Sequence, residues 1–120
     1  MALKFYALCT RNIYALMRHA KYIPKGDLFI IINSQNEEFI AAAEHYCKSE
    51  SIDYAITESD GTAATGKNSF LDTFLASDND YAVLVDGDDF ITPHDVVTYR
   101  LIATMPNPRD AIGITNQIGI

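Results

Sequence analysis

The sequence predicts a three-layer α/β domain with a mainly parallel sheet. Three observations predict it. Apolar runs of strand length alternate with segments of helical spacing four times along 120 residues. One run, Leu28 to Ile32, is five apolar residues without a break. That suits a strand covered on both faces, as in a parallel sheet under helices, better than a strand with one wet face. Turn-forming clusters of Gly, Pro, Asp and Ser separate the segments, and β-α alternation of this kind builds helices onto both faces of a sheet.

Taken in order, Lys4 to Cys9 reads as the first strand. Arg11 to Ile23 then changes to helical spacing, with Ile13, Leu16, Met17 and Ala20 on one face and Arg18 and Lys21 off it. Pro24-Lys25-Gly26-Asp27 is a turn. Leu28 to Ile32 is the second strand. Glu37 to Lys48 is the second helix, with Phe39, Ile40, Ala43 and Cys47 inward and two glutamates at its start to complement the helix dipole. Tyr54 to Thr57 is a weaker third strand, and Glu58 to Gly66 is small and polar enough to be a loop. Lys67 to Ala76 returns to helical spacing through Phe70, Leu71, Phe74 and Leu75. Tyr81 to Val85 is the fourth strand, stopping abruptly at Asp86. Thr92-Pro93-His94-Asp95 then has the form of a helix start, with Thr as N-cap, Pro in the first helical position and Asp in the third. The helix continues from Val96 to Met105, ends at Pro106 and Pro108, and leaves Ala111 to Ile120 for a last strand.

Composition bounds the function. One domain over residues 1–120 accounts for the length. With 48% hydrophobic residues the chain can build a core. A net charge of -7 argues against nucleic acid, which is bound through basic patches. No apolar stretch approaches the roughly 18 residues of a membrane span, and no signal-like segment opens the chain. Cys9 and Cys47 stand outside any CxxC or Cys/His cluster and read as reduced, buried thiols in a cytoplasmic protein.

Ligands of open α/β sheets sit beyond the carboxyl ends of the strands, near a switch in strand order. The residues to inspect are therefore Thr10 to Asn12, Asn33 to Asn36, Glu58 to Gly61 and Asp86 to Asp89. The last group stands out. Asp86, Asp88 and Asp89 place three carboxylates within four residues. Two carboxylates ~5 Å apart repel by about 3 kcal/mol at an effective dielectric near 20. Solvation relieves that repulsion, and so does a cation. Oxygen-only ligands select hard cations, Mg²⁺ or Mn²⁺, which keep open positions for substrate phosphates. Gly87 lets a ligand approach the backbone closely. The plainer reading is an acidic turn between a strand and a helix.

The stretch Gly66-Lys67-Asn68, a helix, and then Asp80-Tyr81-Ala82-Val83-Leu84-Val85-Asp86-Gly87-Asp88-Asp89-Phe90-Ile91-Thr92-Pro93 resembles the family 2 glycosyltransferases of GT-A fold. Cys9-Thr10-Arg11-Asn12 resembles the segment after that family's first strand, and Leu28 to Glu38 its second strand with the following turn. The resemblance spans roughly residues 4 to 105. It implies a sheet of order 3-2-1-4, so that Thr10-Arg11 and Asp86-Asp88 face one crevice. It also implies a metal-dependent transferase that moves a sugar from a nucleotide-diphosphate donor, with inversion, to an acceptor the sequence does not identify. By resemblance, Thr10 and Arg11 border the nucleoside and Asn33 faces the base. Lys67 and Asn68 lie near base or phosphates, Asp86 and Gly87 adjoin ribose or sugar, and Asp88, with Asp86, holds Mn²⁺ or Mg²⁺.

Asn33 stands where the family usually has an acidic residue, and an amide offers a base edge different hydrogen bonds. Only 31 residues follow Asp89, so the acceptor-binding half and the catalytic base are expected to be missing from the chain. The alternative reading is a non-catalytic or truncated nucleotide-sugar-binding module, completed by a homo-oligomer or a partner domain. A third is a structural domain whose acidic turn merely attracts cations. His19 and His45 read as surface or structural histidines, and His94 as exposed. Asp95 reads as a cap, and nothing marks out Asp110. Gly61 to Asn68 mimics a P-loop, but Asn68 stands where Ser or Thr is required, and ATP hydrolysis is set aside.

Overall fold

A computed structural model describes residues 3–86 and 92–103. Their elements run β1 (Leu3–Cys9), α1 (Ile13–Tyr22), a 3₁₀ turn (Lys25–Asp27), β2 (Leu28–Asn33), α2 (Glu37–Glu50), β3 (Asp53–Thr57), α3 (Ala63–Leu75), β4 (Tyr81–Asp86) and α4 (Pro93–Ala103). The last strand expected over Ala111 to Ile120 lies outside the described residues.

The four strands form one parallel sheet in the expected order β3-β2-β1-β4. The register aligns Cys9 with Ile32 on one side of β1, and Leu8 with Asp86 on the other. Successive side chains of a strand point to opposite faces, so the apolar run of β1 divides between two cores. Phe5, Ala7 and Cys9 join Ile30 and Ile32 under Leu16 of α1, Ala43 and Cys47 of α2 and Val96 of α4. Tyr6, Leu8 and Ile31 face the other way, where Phe70 and Phe74 of α3 pack on them. Three helices thus cover one face and α3 the other. This follows from right-handed crossovers: β1 to β2 to β3 advances in one direction, and β3 to β4 returns past β1. Burying a Leu, Ile or Phe side chain is worth about 1.5–3 kcal/mol, and β1 and β2 contribute most of the fully buried ones.

Helix starts are fixed by side-chain caps. Asn12 accepts from the Tyr14 amide at 2.8 Å, and Asn36 from the amides of Glu38 and Phe39 at 3.0 and 3.2 Å. Thr92 and Asp95 form the expected reciprocal box: the Thr92 amide donates to Asp95 Oδ2 at 2.8 Å, and the Asp95 amide donates to Thr92 Oγ1 at 3.3 Å. Tyr6, fully buried among Phe29, Phe70 and Phe74, donates its hydroxyl to Ser77 Oγ at 3.3 Å and accepts from Asn79 Nδ2 at 3.1 Å. That pair of bonds anchors the turn into β4.

Several expectations need correction. α1 starts at Ile13, because Asn12 is its cap rather than its second residue. α3 starts at Ala63, inside the stretch expected to be a loop, because Thr62 caps it by accepting from the Thr65 amide. Met17 is 43% exposed whereas His19 is fully buried, so the buried positions of α1 are Leu16 and His19, followed by Ile23 at its C-terminal cap. Of the four apolar residues expected inward on α3, Phe70 and Phe74 pack on the sheet, whereas Leu71 and Leu75 are exposed.

Candidate functional site: a cleft at the carboxyl edge of the sheet

A cleft of about 920 Å³ opens beyond the carboxyl ends of β1 and β2. Leu8 and Cys9 form part of its floor. The turn after β1 supplies Thr10, Arg11 and Asn12; the turn after β2 supplies Ser34, Gln35 and Asn36; the segment after β3 supplies Ser59, Gly61 and Thr62. Each of these turns feeds a helix, so the amino ends of α1, α2 and α3 converge on the cleft. Such ends carry about half a positive charge each.

Thr10, Arg11, Asn33 and Lys67, four of the residues singled out by the sequence, line this one cleft. Asn68 is exposed on α3 and is not among the lining residues. The backbone of Asp86 ends β4 beside Leu8 of β1, which brings the two strand ends together. Gly87, Asp88 and Asp89 lie outside the described residues, as does Asp110. Among the described residues no group of three or more His, Cys, Asp or Glu is placed to hold a metal ion.

Asn33 lines the cleft with its amide hydrogens already engaged. It is 1% exposed, and its amide nitrogen donates to Thr57 Oγ1 at 2.9 Å and to the Glu58 carbonyl at 2.8 Å, with a longer contact to Ser69 Oγ at 3.4 Å. An amide group has two hydrogens, and both are committed within the protein. Asn33 therefore ties β2 to the end of β3 and to α3, and a base facing it would meet no donor. Gly66 is not part of a ligand loop either. It is buried in α3, and a Cβ there would lie 2.9 Å from Leu8 Cδ2. The missing side chain lets α3 descend onto the sheet next to Asn33. Gly61, with φ of +87°, keeps the loop role: its positive φ turns the chain around Gln35.

Asp60 pins this loop. It accepts from the Thr62 amide at 2.9 Å, from the Thr62 hydroxyl at 2.6 Å, and from the Thr65 hydroxyl. The hydroxyl of Thr62, then that of Thr65, hold its carboxyl down at about 2. In the cleft floor, burial and then the nearby Cys47 push the Cys9 thiol up to about 12. A thiol with that pKa is no nucleophile at neutral pH.

The sequence does not anticipate the α1 residues of the lining. Tyr14 is 75% exposed and, with Ala15 and Arg18, forms a stripe of α1 along the cleft. The signal was present in the sequence, since Tyr14 and Arg18 are four apart and so share a helix face. Arg18 lies off the apolar face of α1, on the side that borders the cleft.

No family model, curated protein or solved structure matches the chain. No helix among the described residues is long and apolar enough to cross a membrane.

Proposed function

We propose that the cleft binds a nucleotide-diphosphate sugar and that the chain is the donor-binding part of a glycosyltransferase. One observation carries this reading: Thr10, Arg11 and Lys67 meet in a single cleft at the carboxyl edge, and β4 delivers Asp86 to the adjacent strand end. A parallel sheet binds its ligands at such an edge, where the strand order reverses. The order reverses between β1 and β4, beside the β1 end of the cleft.

In this reading the nucleoside lies over Thr10 and Arg11, and the diphosphate extends along Lys67 toward Asp86-Gly87-Asp88. Carboxylate oxygens there suit Mn²⁺ or Mg²⁺, which when bound would offset charge on the departing diphosphate. The bond from the sugar's anomeric carbon to the diphosphate oxygen breaks as the acceptor hydroxyl oxygen attacks from the opposite side. The hydroxyl proton passes to a base. Asn33 takes no part in base recognition through its donors; it holds the cleft floor in shape.

A second reading, a module that binds the donor without transferring it, is favoured by the lining. Among the described lining residues there is no Asp, Glu or His to act as a base. Titrating UDP, GDP and UDP-sugars by calorimetry with and without Mn²⁺, together with an assay for released sugar, separates the readings. Binding with turnover supports the transferase, and binding without turnover supports the module. The absence of any binding refutes both. Asp88→Ala should remove the metal-dependent part of the affinity.

A further inference from the structure

Asn12 lines the cleft at the start of α1, and Tyr14 stands two residues further on in the same lining. The two are tied together. The Tyr14 amide donates to Asn12 Oδ1 at 2.8 Å, so the cap bond fixes which end of the carboxamide faces the helix. Turning the group over would set its NH₂ against the Tyr14 N–H, donor against donor. The oxygen is committed to the helix, and Asn12 has its two amide hydrogens left for a ligand. Asn12 Nδ2 donates to no group among the described residues. Asn36, at the start of α2 in the same lining, is held in the same sense. Its Oδ1 accepts from the amides of Glu38 and Phe39 at 3.0 and 3.2 Å. Beside Asn12, Tyr14 is 75% exposed. A planar ring laid on Tyr14 would cover apolar surface that water now wets.

We infer that Tyr14 is the surface on which a nucleobase stacks, and that Asn12 reads the base edge and selects a carbonyl oxygen over an amino group. The presence of a nucleotide rests on the donor-binding reading; the class of base rests on the orientation of Asn12. Uracil and guanine carry an oxygen where cytosine and adenine carry an amino group. An oxygen at that place accepts from Asn12 Nδ2. An amino group there meets the amide hydrogens instead, and both donors lose water without gaining a partner. Asn12 cannot answer by flipping, because its oxygen holds the start of α1. The favoured donors are therefore diphosphates of uridine or guanosine type, and those of cytidine or adenosine type are rejected.

Calorimetric titration of the full chain with UDP and CDP in Mn²⁺ buffer is the test, because the two share ribose, diphosphate and ring shape. UDP should bind about tenfold more tightly, the effect of one hydrogen bond made in place of two donors left unpaired. Asn12→Ser keeps a helix cap and removes the amide, and should bring the ratio close to one. Asn12→Asp also keeps the cap but offers the base an acceptor. Its charge weakens both nucleotides, and the ratio should turn in favour of CDP. Tyr14→Ser should weaken UDP and CDP alike, about tenfold, and leave pyrophosphate unchanged. Circular dichroism checks the fold of each variant, and if one Asn12 variant unfolds the other decides. UDP and CDP bound equally by the wild type would overturn the inference while leaving the donor reading standing. So would a UDP preference that the Asn12 variants retain, or a UDP affinity indifferent to Tyr14→Ser. Failure of every nucleotide to bind overturns both.

Discussion

Replacing Asn33 with aspartate keeps its size and removes its amide hydrogens, and the structure predicts that the exchange is harmful. Asn33 Nδ2 donates to Thr57 Oγ1 at 2.9 Å and to the Glu58 carbonyl at 2.8 Å, in a position 1% exposed. An ionised carboxylate can accept from the Thr57 hydroxyl but cannot donate to a carbonyl oxygen. The Glu58 bond becomes a contact between two acceptors, and a charge is buried at a position 1% exposed. The lost bond costs about 1 kcal/mol, and leaving buried groups unsatisfied adds 1–3 kcal/mol. Asn33→Asp should therefore lower stability by about 2–4 kcal/mol at pH 7, out of the 5–15 kcal/mol typical of a domain. The penalty must depend on pH. Burial and the facing carbonyl raise the pKa of the new carboxyl in the folded state above its unfolded value of about 3.9. The folded state then binds the proton more tightly, so the penalty is complete above the folded pKa. It shrinks as pH falls through that value toward 3.9, where the protonated acid can donate to Glu58. Urea unfolding of the wild type and the variant at pH 7 and pH 5 measures both effects. A difference below about 0.5 kcal/mol that does not change with pH would refute the reasoning, because Asn33 would then be a solvated cleft residue and not a clamp.

Three further predictions follow from local geometry. Ser51 caps α2 in the left-handed region at φ of 57°, so Ser51→Gly should raise stability by about 0.5–1 kcal/mol in the same unfolding assay; no gain would contradict the assigned cap. Asp60, held down at about 2 by the hydroxyls of Thr62 and Thr65, should titrate near that value in carbon-detected NMR. Its contribution to folding is present above the unfolded value of about 4 and is lost as pH falls toward 2; a measured value near 4 would mean that the loop is not pinned. Cys9 and Cys47, pushed by burial to about 12 and 11, should resist iodoacetamide at pH 8 in the folded protein and react in 6 M urea; rapid labelling of the native state would contradict the packing of the α1–α2 face.

The sheet was legible in the sequence because its signal is redundant. The unbroken Leu28 to Ile32 run needs cover on both faces, and parallel pairing with helices on either side provides it. Alternation alone does not order strands; the order came from the resemblance, and the register agrees with it. Helix starts were legible where a cap stands beside a clear periodicity, as at Thr92 and Asp95. The start of α3 was hidden because Ala63, Ala64, Thr65 and Gly66 are small residues whose helix forms by capping and by close approach to Leu8, neither of which has a period. The turns after β1, β2 and β3 identified most of the cleft in advance. Arg18 was not legible as a cleft residue because its place off the apolar face says nothing of what borders that side, and only the three-dimensional arrangement brings this side of α1 to the cleft. The bonds of Asn33 were not legible for a related reason: a strand-end amide looks available until its acceptors at the end of β3 are in place.

The most direct test of the central claim is a chemical-shift map of the ¹⁵N-labelled chain titrated with UDP. Shifts should concentrate on the turns lining the cleft, at Thr10, Arg11, Gln35, Gly61 and Thr62 and on the backbone of Lys67, and Mn²⁺ should broaden signals around Asp86. The absence of shifts at millimolar UDP, or shifts gathered instead on the exposed face of α4 at Val97 and Leu101, would contradict it.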